Sequence, residues 1–294
     1  MQVDNVIVDG LNLAYRCYYA PGMAELHDSN DRPTGVVCGF LKTLVSLTKK
    51  FEGAKYTVVW DGSSQYRRSK FSGYKANRTS GSLHTKQEDG VPSWDQIKYL
   101  TEILPFLGVA QAYNPQEEAD DVMATLVREN FCGFFNIILT NDRDMLQLIT
   151  STDNVLLPTQ GKRKEAIFDI PKLKEEWGVE PELMVPLRAL FGDSSDNIPG
   201  VPRVPQKVLT NLLVKHRSIN GIYESNLSGL TELQYRLMME SEKQVRLNLE
   251  LMSLRNVPVT YVAPTPDTTV ARQKLASVEV VLPDTTNLFA PTIT

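Results

Sequence analysis

Carboxylates are the residues of this chain whose spacing could do chemistry. Asp9, Asp61 and Asp142 each stand just past a short run of apolar and β-branched residues, at 5–8, 56–60 and 135–140. Such runs read as buried strands, and strands alternating with helices predict a mostly parallel sheet with helices on both faces, an α/β fold. In open α/β sheets, ligand crevices form along the edge where strand C-terminal ends lie. One Asp-Gly step is an ordinary turn, whereas three aspartates delivered to one edge make a site. Glu118, Asp120 and Asp121 open a helix that continues through Val122, Leu126 and Val127. Residues three apart, Glu118 and Asp121, share a face of that helix, and Asp120 points about 100° away. Acidic residues also suit a helix N-terminus electrostatically, so this cluster alone would mean only a well-capped start. The last pair, Asp193 and Asp196, lies in the turn-rich stretch Gly-Asp-Ser-Ser-Asp-Asn-Ile-Pro-Gly at 192–200, after an apolar helical run. We read this stretch as closing a carboxylate-lined metal site and opening an element that grips DNA.

The elements that must hold these residues follow from periodicity. Helices are expected at 11–20 and at 35–51, where Val36, Phe40, Leu44 and Leu47 recur at helical spacing. Pro171 and Pro181 each sit in a first helical turn, where a missing N–H costs little. Helix, Gly/Pro turn and helix then follow one another through 184–214, the layout of a helix-hairpin-helix. Two further helices are expected at 229–240 and 242–254. Beyond 261, Pro and Thr dominate, predicting a loosely packed tail without chemistry.

Residues 62–87 contain no acidic side chain but carry Arg67, Arg68, Lys70, Lys75, Arg78 and Lys86, interleaved with Tyr66, Phe71 and Tyr74. Cations for phosphates and rings for bases suit a single-stranded nucleic acid. The formal net charge of −4 argues against coating nucleic acid by bulk charge, so any such contact is a local patch. Three cysteines without metal-ligand spacing suggest a reducing compartment. No basic leader with an apolar run opens the chain and no apolar stretch reaches spanning length, so a cytoplasmic protein is expected.

Taken in order, these segments resemble the 5′-nuclease superfamily, the flap endonucleases and 5′→3′ exonucleases. The matching motifs are Val-Asp-Gly-Leu-Asn-Leu at 8–13, Trp-Asp-Gly at 60–62, Tyr-Lys-Ala-Asn-Arg at 74–78 and Glu-Ala-Asp-Asp at 118–121. Thr-Asn-Asp-Arg-Asp-Met-Leu-Gln-Leu at 140–148 and Gly-Asp-Ser-Ser-Asp-Asn-Ile-Pro-Gly-Val-Pro at 192–202 complete the set. The resemblance covers roughly residues 3–260. It implies a PIN-like nuclease core at 1–180 with a basic arch at about 62–92. A helical DNA-binding subdomain at 181–260 and a tail at 261–294 would follow.

The same resemblance implies a two-metal site, with Asp9, Asp61, Glu118, Asp120 and Asp121 around the first ion and Asp142, Asp144, Asp193 and Asp196 around the second. Such hard oxygen ligands, without His or Cys, suit Mg²⁺ or Mn²⁺. It further implies that Lys75 and Arg78 approach the scissile phosphate, that Tyr74 stacks on a base and that Arg16 faces DNA; the basic stretch adds Arg67, Arg68 and Lys70, and the hairpin Arg203 and Lys207, as expected DNA contacts. In the family the hairpin glycines also support a K⁺-mediated phosphate contact. Here Arg203 and Pro205 replace two of them, which argues against K⁺ and for a direct guanidinium–phosphate contact.

The implied activity is divalent-metal-dependent 5′→3′ exonuclease and flap endonuclease cleavage of DNA, in replication or repair. The enzyme would be a monomer working beside a polymerase or single-strand-binding protein in trans. The alternatives are a PIN-type ribonuclease, which would lack the arch and hairpin, and a DNA-binding relative that no longer cleaves.

Overall fold

A computed structural model describes residues 2–77, 94–157, 166–225, 227 and 229–281. Arg78, Lys86 and the second half of the expected arch, from 78 on, lie outside the described residues, as does the basic run Lys162-Arg163-Lys164. The chain forms strands β1 (Asn5–Asp9), β2 (Lys55–Trp60), β3 (Ala110–Tyr113), β4 (Asn136–Leu139), β5 (Asp153–Leu157) and β6 (Ala166–Phe168). A two-residue ribbon follows, β7 (Gly192–Asp193) with β8 (Ile198–Pro199), and then β9 (Thr260–Val262). The helices are α1 (Gly10–Tyr18), α2 (Gly35–Lys50), α3 (Gln65–Lys70), α4 (Trp94–Ile103), α5 (Ala119–Thr125) and α6 (Ile170–Trp177). They continue as α7 (Met184–Phe191), α8 (Gln206–His216), α9 (Ile219–Glu224), α10 (Glu232–Met252) and α11 (Thr268–Ser277).

The main sheet has the order β6-β5-β4-β1-β2-β3-β9, with the five inner strands parallel and both edge strands antiparallel. All five residues of β1 are buried, as parallel strands covered on both faces require. Its side chains alternate between two cores. Val6 and Val8 join α1, α2 and α4 on one face, while Ile7 joins α5, α7, α8 and α10 on the other. The second core runs without a break from the sheet into the helical half. Sequence-expected strands at 5–8, 56–60 and 135–140 are therefore present within a residue or two.

Two expectations are corrected. The helices expected at 229–240 and 242–254 are one helix, α10: Thr231 and Gln234 close a capping box at its start, and Ser241, at the expected break, is buried within it. The expected loose tail instead contributes β9, which pairs with β3, and α11, which buries Ala271 and Leu275. Asp267 caps that helix by accepting from the N–H groups of Thr269 and Val270. Strand β3 has no counterpart among the expected strands.

Around residue 192 the backbone permits no side chain. Gly192 adopts φ 74°, and a Cβ there would sit 2.2 Å from the Gly200 nitrogen. A Cβ on Gly200 would in turn approach the Phe191 carbonyl oxygen to 2.1 Å. Buried Asn248 of α10 donates to the carbonyls of Ala189 (2.9 Å) and Pro199 (2.8 Å), pinning the ribbon to the helix beneath it. The helix-ribbon-helix expected through 184–214 is thus present as α7, the ribbon and α8. No helix among the described residues is long and apolar enough to cross a membrane.

Candidate active site at the carboxylate edge

Helix N-termini place the carboxylates. Asp9 ends β1 and caps α1, its Oδ1 accepting from the Asn12 N–H (3.0 Å) and its Oδ2 from the Thr140 hydroxyl (2.9 Å). Asp61, one residue past β2, accepts from the N–H of Ala119, the first residue of α5 (2.7 Å). Asp120 lies in the first turn of α5. Asp142 follows β4 and caps the short 3₁₀ turn Arg143–Leu148 by accepting from the Asp144 N–H (2.8 Å). Unsatisfied N–H groups and the helix dipole both favour an anion at these positions, so turns after parallel strands collect carboxylates at one edge.

Their mutual repulsion is visible in their acidity. Burial, reinforced by the charges of Asp61 and Asp142, pushes Asp9 up to about 7. Burial, then Asp142 and Asp193, pushes Asp144 up to about 7 against the pull of Arg188. Asp120 is raised well above the usual carboxylate range by burial and by Asp142, Asp9, Glu118 and Asp61. Like charges held together out of water in this way need protons or cations. Asp9, Asp61, Asp120 and Asp142 are therefore brought into one electrostatic cluster, which Asp144 and Asp193 extend. A donor set made only of carboxylate oxygens fits a hard divalent cation. Among the described residues no three of these side chains close on one point as a preformed cage.

Glu118 and Asp121 stand differently from their expected place among the metal ligands. Sharing a helix face, they both turn to Arg67, which meets Asp121 through Nη1 (2.6 Å) and Nη2 (3.0 Å) and Glu118 through Nη1 (2.8 Å). Asp121 is 0% exposed, and its Oδ1 also accepts from the Arg255 N–H. It is a buried counter-ion to Arg67. Glu118 receives Lys75 Nζ and the Tyr74 hydroxyl besides Arg67, and these cations hold it below the usual range despite burial.

The same network engages two side chains expected to face DNA. Arg67 is 4% exposed and also donates to the Leu251 carbonyl, so its guanidinium has no face left for phosphate. Tyr74 is likewise buried, with Lys75 Nζ 5.0 Å from its ring centroid, and offers no open face to a base. Arg68 is exposed and bonds Ser64, whereas exposed Lys70 pairs with Glu250 (2.6 Å). Arg16 is half-buried in the last turn of α1. On the hairpin, Arg203 and Lys207 are exposed. Arg203 takes the left-handed φ of 58° that a glycine would take, and Pro205 precedes α8.

Arg188 was not singled out in the sequence. Within α7 it spans the carboxylates of Asp144 (2.8 Å) and Asp193, joining the 3₁₀ turn to the ribbon. A lone arginine in an otherwise apolar helix, five residues before Asp193, is the signal that could have found it. Beside it opens a cleft of about 720 Å³, with Phe71, Arg143, Trp177, Phe191 and Gln206 in its walls.

An α/β sheet with acidic residues along one edge, joined to a helical hairpin, defines a nuclease architecture. The chain belongs to the 5′-3′ exonuclease family: the family's N-terminal resolvase-like domain matches residues 4–178 and its C-terminal SAM fold matches residues 179–273. It is a hydrolytic nuclease. The 5′-3′ exonuclease of Bacillus subtilis (strain 168) is 32% identical over 259 residues, covering 86% of this chain and 84% of that protein. DNA polymerase I of Chloroflexus aurantiacus is 32% identical over 260 residues, and this chain spans only 26% of that protein's length. Among solved structures, a bacteriophage T5 flap endonuclease in complex with DNA and metal ions superposes with a TM-score of 0.68 at 21% identity, over 94% of each chain. Flap endonuclease-1 from Methanococcus jannaschii gives 0.60 at 13% identity, over 94% of this chain and 87% of that one. These likenesses show that the fold is shared.

Proposed function

We propose that this nuclease is a divalent-metal-dependent 5′→3′ exonuclease and flap endonuclease that hydrolyses DNA phosphodiesters near 5′ ends, in replication or repair. One observation carries the reading. Turns after β1, β2 and β4 and the start of α5 bring Asp9, Asp61, Asp142 and Asp120 into one repelling cluster beside Lys75, the cation from the basic segment. The similar T5 structure crystallised with DNA and metal ions supports the same substrate and cofactor class.

Asp9, Asp61, Asp120 and Asp142 would hold one ion, and Asp144, Asp193 and Asp196 a second, with Mg²⁺ the cation best matched to oxygen ligands. Divalent ions held there would make a ligated water more acidic and stabilise the charge on a leaving oxygen. The chain's own residues supply the rest. Thr140 and Asn12 orient Asp9. Lys75 stabilises charge building on the scissile phosphate once DNA draws it from Glu118. Arg203 and Lys207 hold duplex phosphates on the hairpin, with Arg68 on the exposed face of α3. A polymerase or single-strand-binding protein would work beside it on the same DNA.

Cleavage of a 5′-labelled flap substrate with Mg²⁺, with Mn²⁺ and with EDTA tests the reading. Release of short 5′ products with either metal and none with EDTA is expected. Metal-independent cutting, or none under any condition, would overturn it.

A further inference from the structure

Two loops far apart in sequence are hydrogen-bonded together at the base of the basic segment. The Asn77 side-chain amide donates to the Ser194 carbonyl (2.8 Å), the Asn197 side-chain amide donates to the Gly73 carbonyl (2.8 Å), and the Lys75 N–H donates to the Asp196 carbonyl (2.9 Å). The seam joins the segment just past α3 to the turn between β7 and β8. Backbone strain sits on both sides of it: Lys75 adopts φ 54° and Asn197 φ 59°. Asparagine tolerates the left-handed region, but a lysine there persists only where its surroundings over-determine it. Here the three hydrogen bonds do so. They leave the Lys75 ammonium on Glu118 and 3.9 Å from Asp196. Asn77 and Asn197 are themselves exposed, so a purely core-filling role is excluded.

We propose that Asn77 and Asn197 are positioning residues for cleavage: they lock the Gly73–Asn77 backbone to the ribbon turn and so aim Lys75 at the carboxylate edge. The ribbon leads directly into the hairpin at Arg203. Movement of the hairpin on duplex DNA is thereby transmitted to the cation that faces the reacting phosphate. This role rests on the proposed reading of Lys75 as that cation.

The test uses the full chain with Asn77→Ala, with Asn197→Gly, which preserves the left-handed backbone, and with Lys75→Ala, singly and combined. On a Mg²⁺-loaded flap substrate, each asparagine variant is expected to lose about 10- to 100-fold in kcat, the scale of a misplaced catalytic group. KM should stay within about twofold, because the phosphate contacts of the hairpin are untouched. In the Lys75→Ala background, Asn77→Ala should cost nothing more. Metal-free hydrogen exchange gives a second readout: the Lys75 amide, protected in the wild type, should exchange at least about tenfold faster in either variant.

Active wild type with Asn77→Ala equally fast, or losses that multiply with Lys75→Ala, would overturn the role. Wild type that protects the Lys75 amide yet cuts no flap with any divalent metal would instead overturn the function from which the role derives.

Discussion

At the scale of single residues, Arg67 shows how a cation's role is decided by what it meets. The basic stretch 62–87 reads from composition as a surface for phosphates, and exposed Arg68 fits that reading. Arg67, one position earlier, is inside, clasped by Glu118 and Asp121, which lie 51 and 54 positions further along the chain. A composition carries no information about which cation turns inward, because that depends on a partner brought close only by folding. Breaking a buried ion pair from one side leaves uncompensated charge and costs about 3–5 kcal/mol. Arg67→Met is therefore expected to lower the Tm markedly while leaving the salt dependence of DNA binding by the folded fraction unchanged. Thermal melts and a salt titration of binding check this; a reduced salt slope with an unchanged Tm would return Arg67 to the DNA face.

Secondary-structure elements set the limit of what the sequence makes legible. Strands β1, β2 and β4 are buried on both faces and stand out as apolar runs, and the aspartates after them mark the crevice without any tertiary knowledge. Strand β3, Ala-Gln-Ala-Tyr, is four residues long and lacks β-branched side chains, so nothing local distinguishes it from coil. Strand β9 is exposed and three residues long, a strand only because β3 offers it an edge. Helix α11 had a visible start signal in Asp267-Thr268, masked by the prolines just before it.

The ribbon makes a prediction at this same scale. Asn248 is wholly buried and supplies the donors for two carbonyls, one from α7 and one from β8. Asn248→Leu, similar in volume, would strand both and cost about 2–6 kcal/mol, given about 1–3 for each buried group left unsatisfied. Denaturant melts measure the cost, and an unchanged midpoint would show that the ribbon holds without this anchor.

For the whole molecule, the carboxylate edge couples stability to pH and to metal. Asp9 and Asp144 have folded values of about 7, above their ordinary range, so between pH 4 and 7 the folded protein binds more protons than the unfolded chain. Stability contributed by such groups is present at low pH and lost as pH rises through 7. Glu118 and Asp193 shift downwards and act with the opposite sign, but below the ordinary carboxylate range. In EDTA, the Tm is therefore expected to fall between pH 5.5 and pH 8 by roughly 5 °C or more, given about 2–4 °C per kcal/mol for a chain of this class. Excess Mg²⁺ at pH 8 should restore most of the loss by replacing protons with a cation. Scanning calorimetry at the two pH values, with and without Mg²⁺, decides it; a flat or rising Tm in EDTA would mean the carboxylates are already neutralised within the protein.

Strand β9 has a consequence for biosynthesis. It supplies the last strand of the sheet from Thr260–Val262, after every residue of the helical half has been made. Synthesis runs at about 5–20 residues per second, so β3 waits on the order of ten seconds for its edge partner. During that interval β3 is an open edge, the kind of surface that pairs with other chains. The nuclease core is encoded first but finished last, and its completion reports that the hairpin has already emerged.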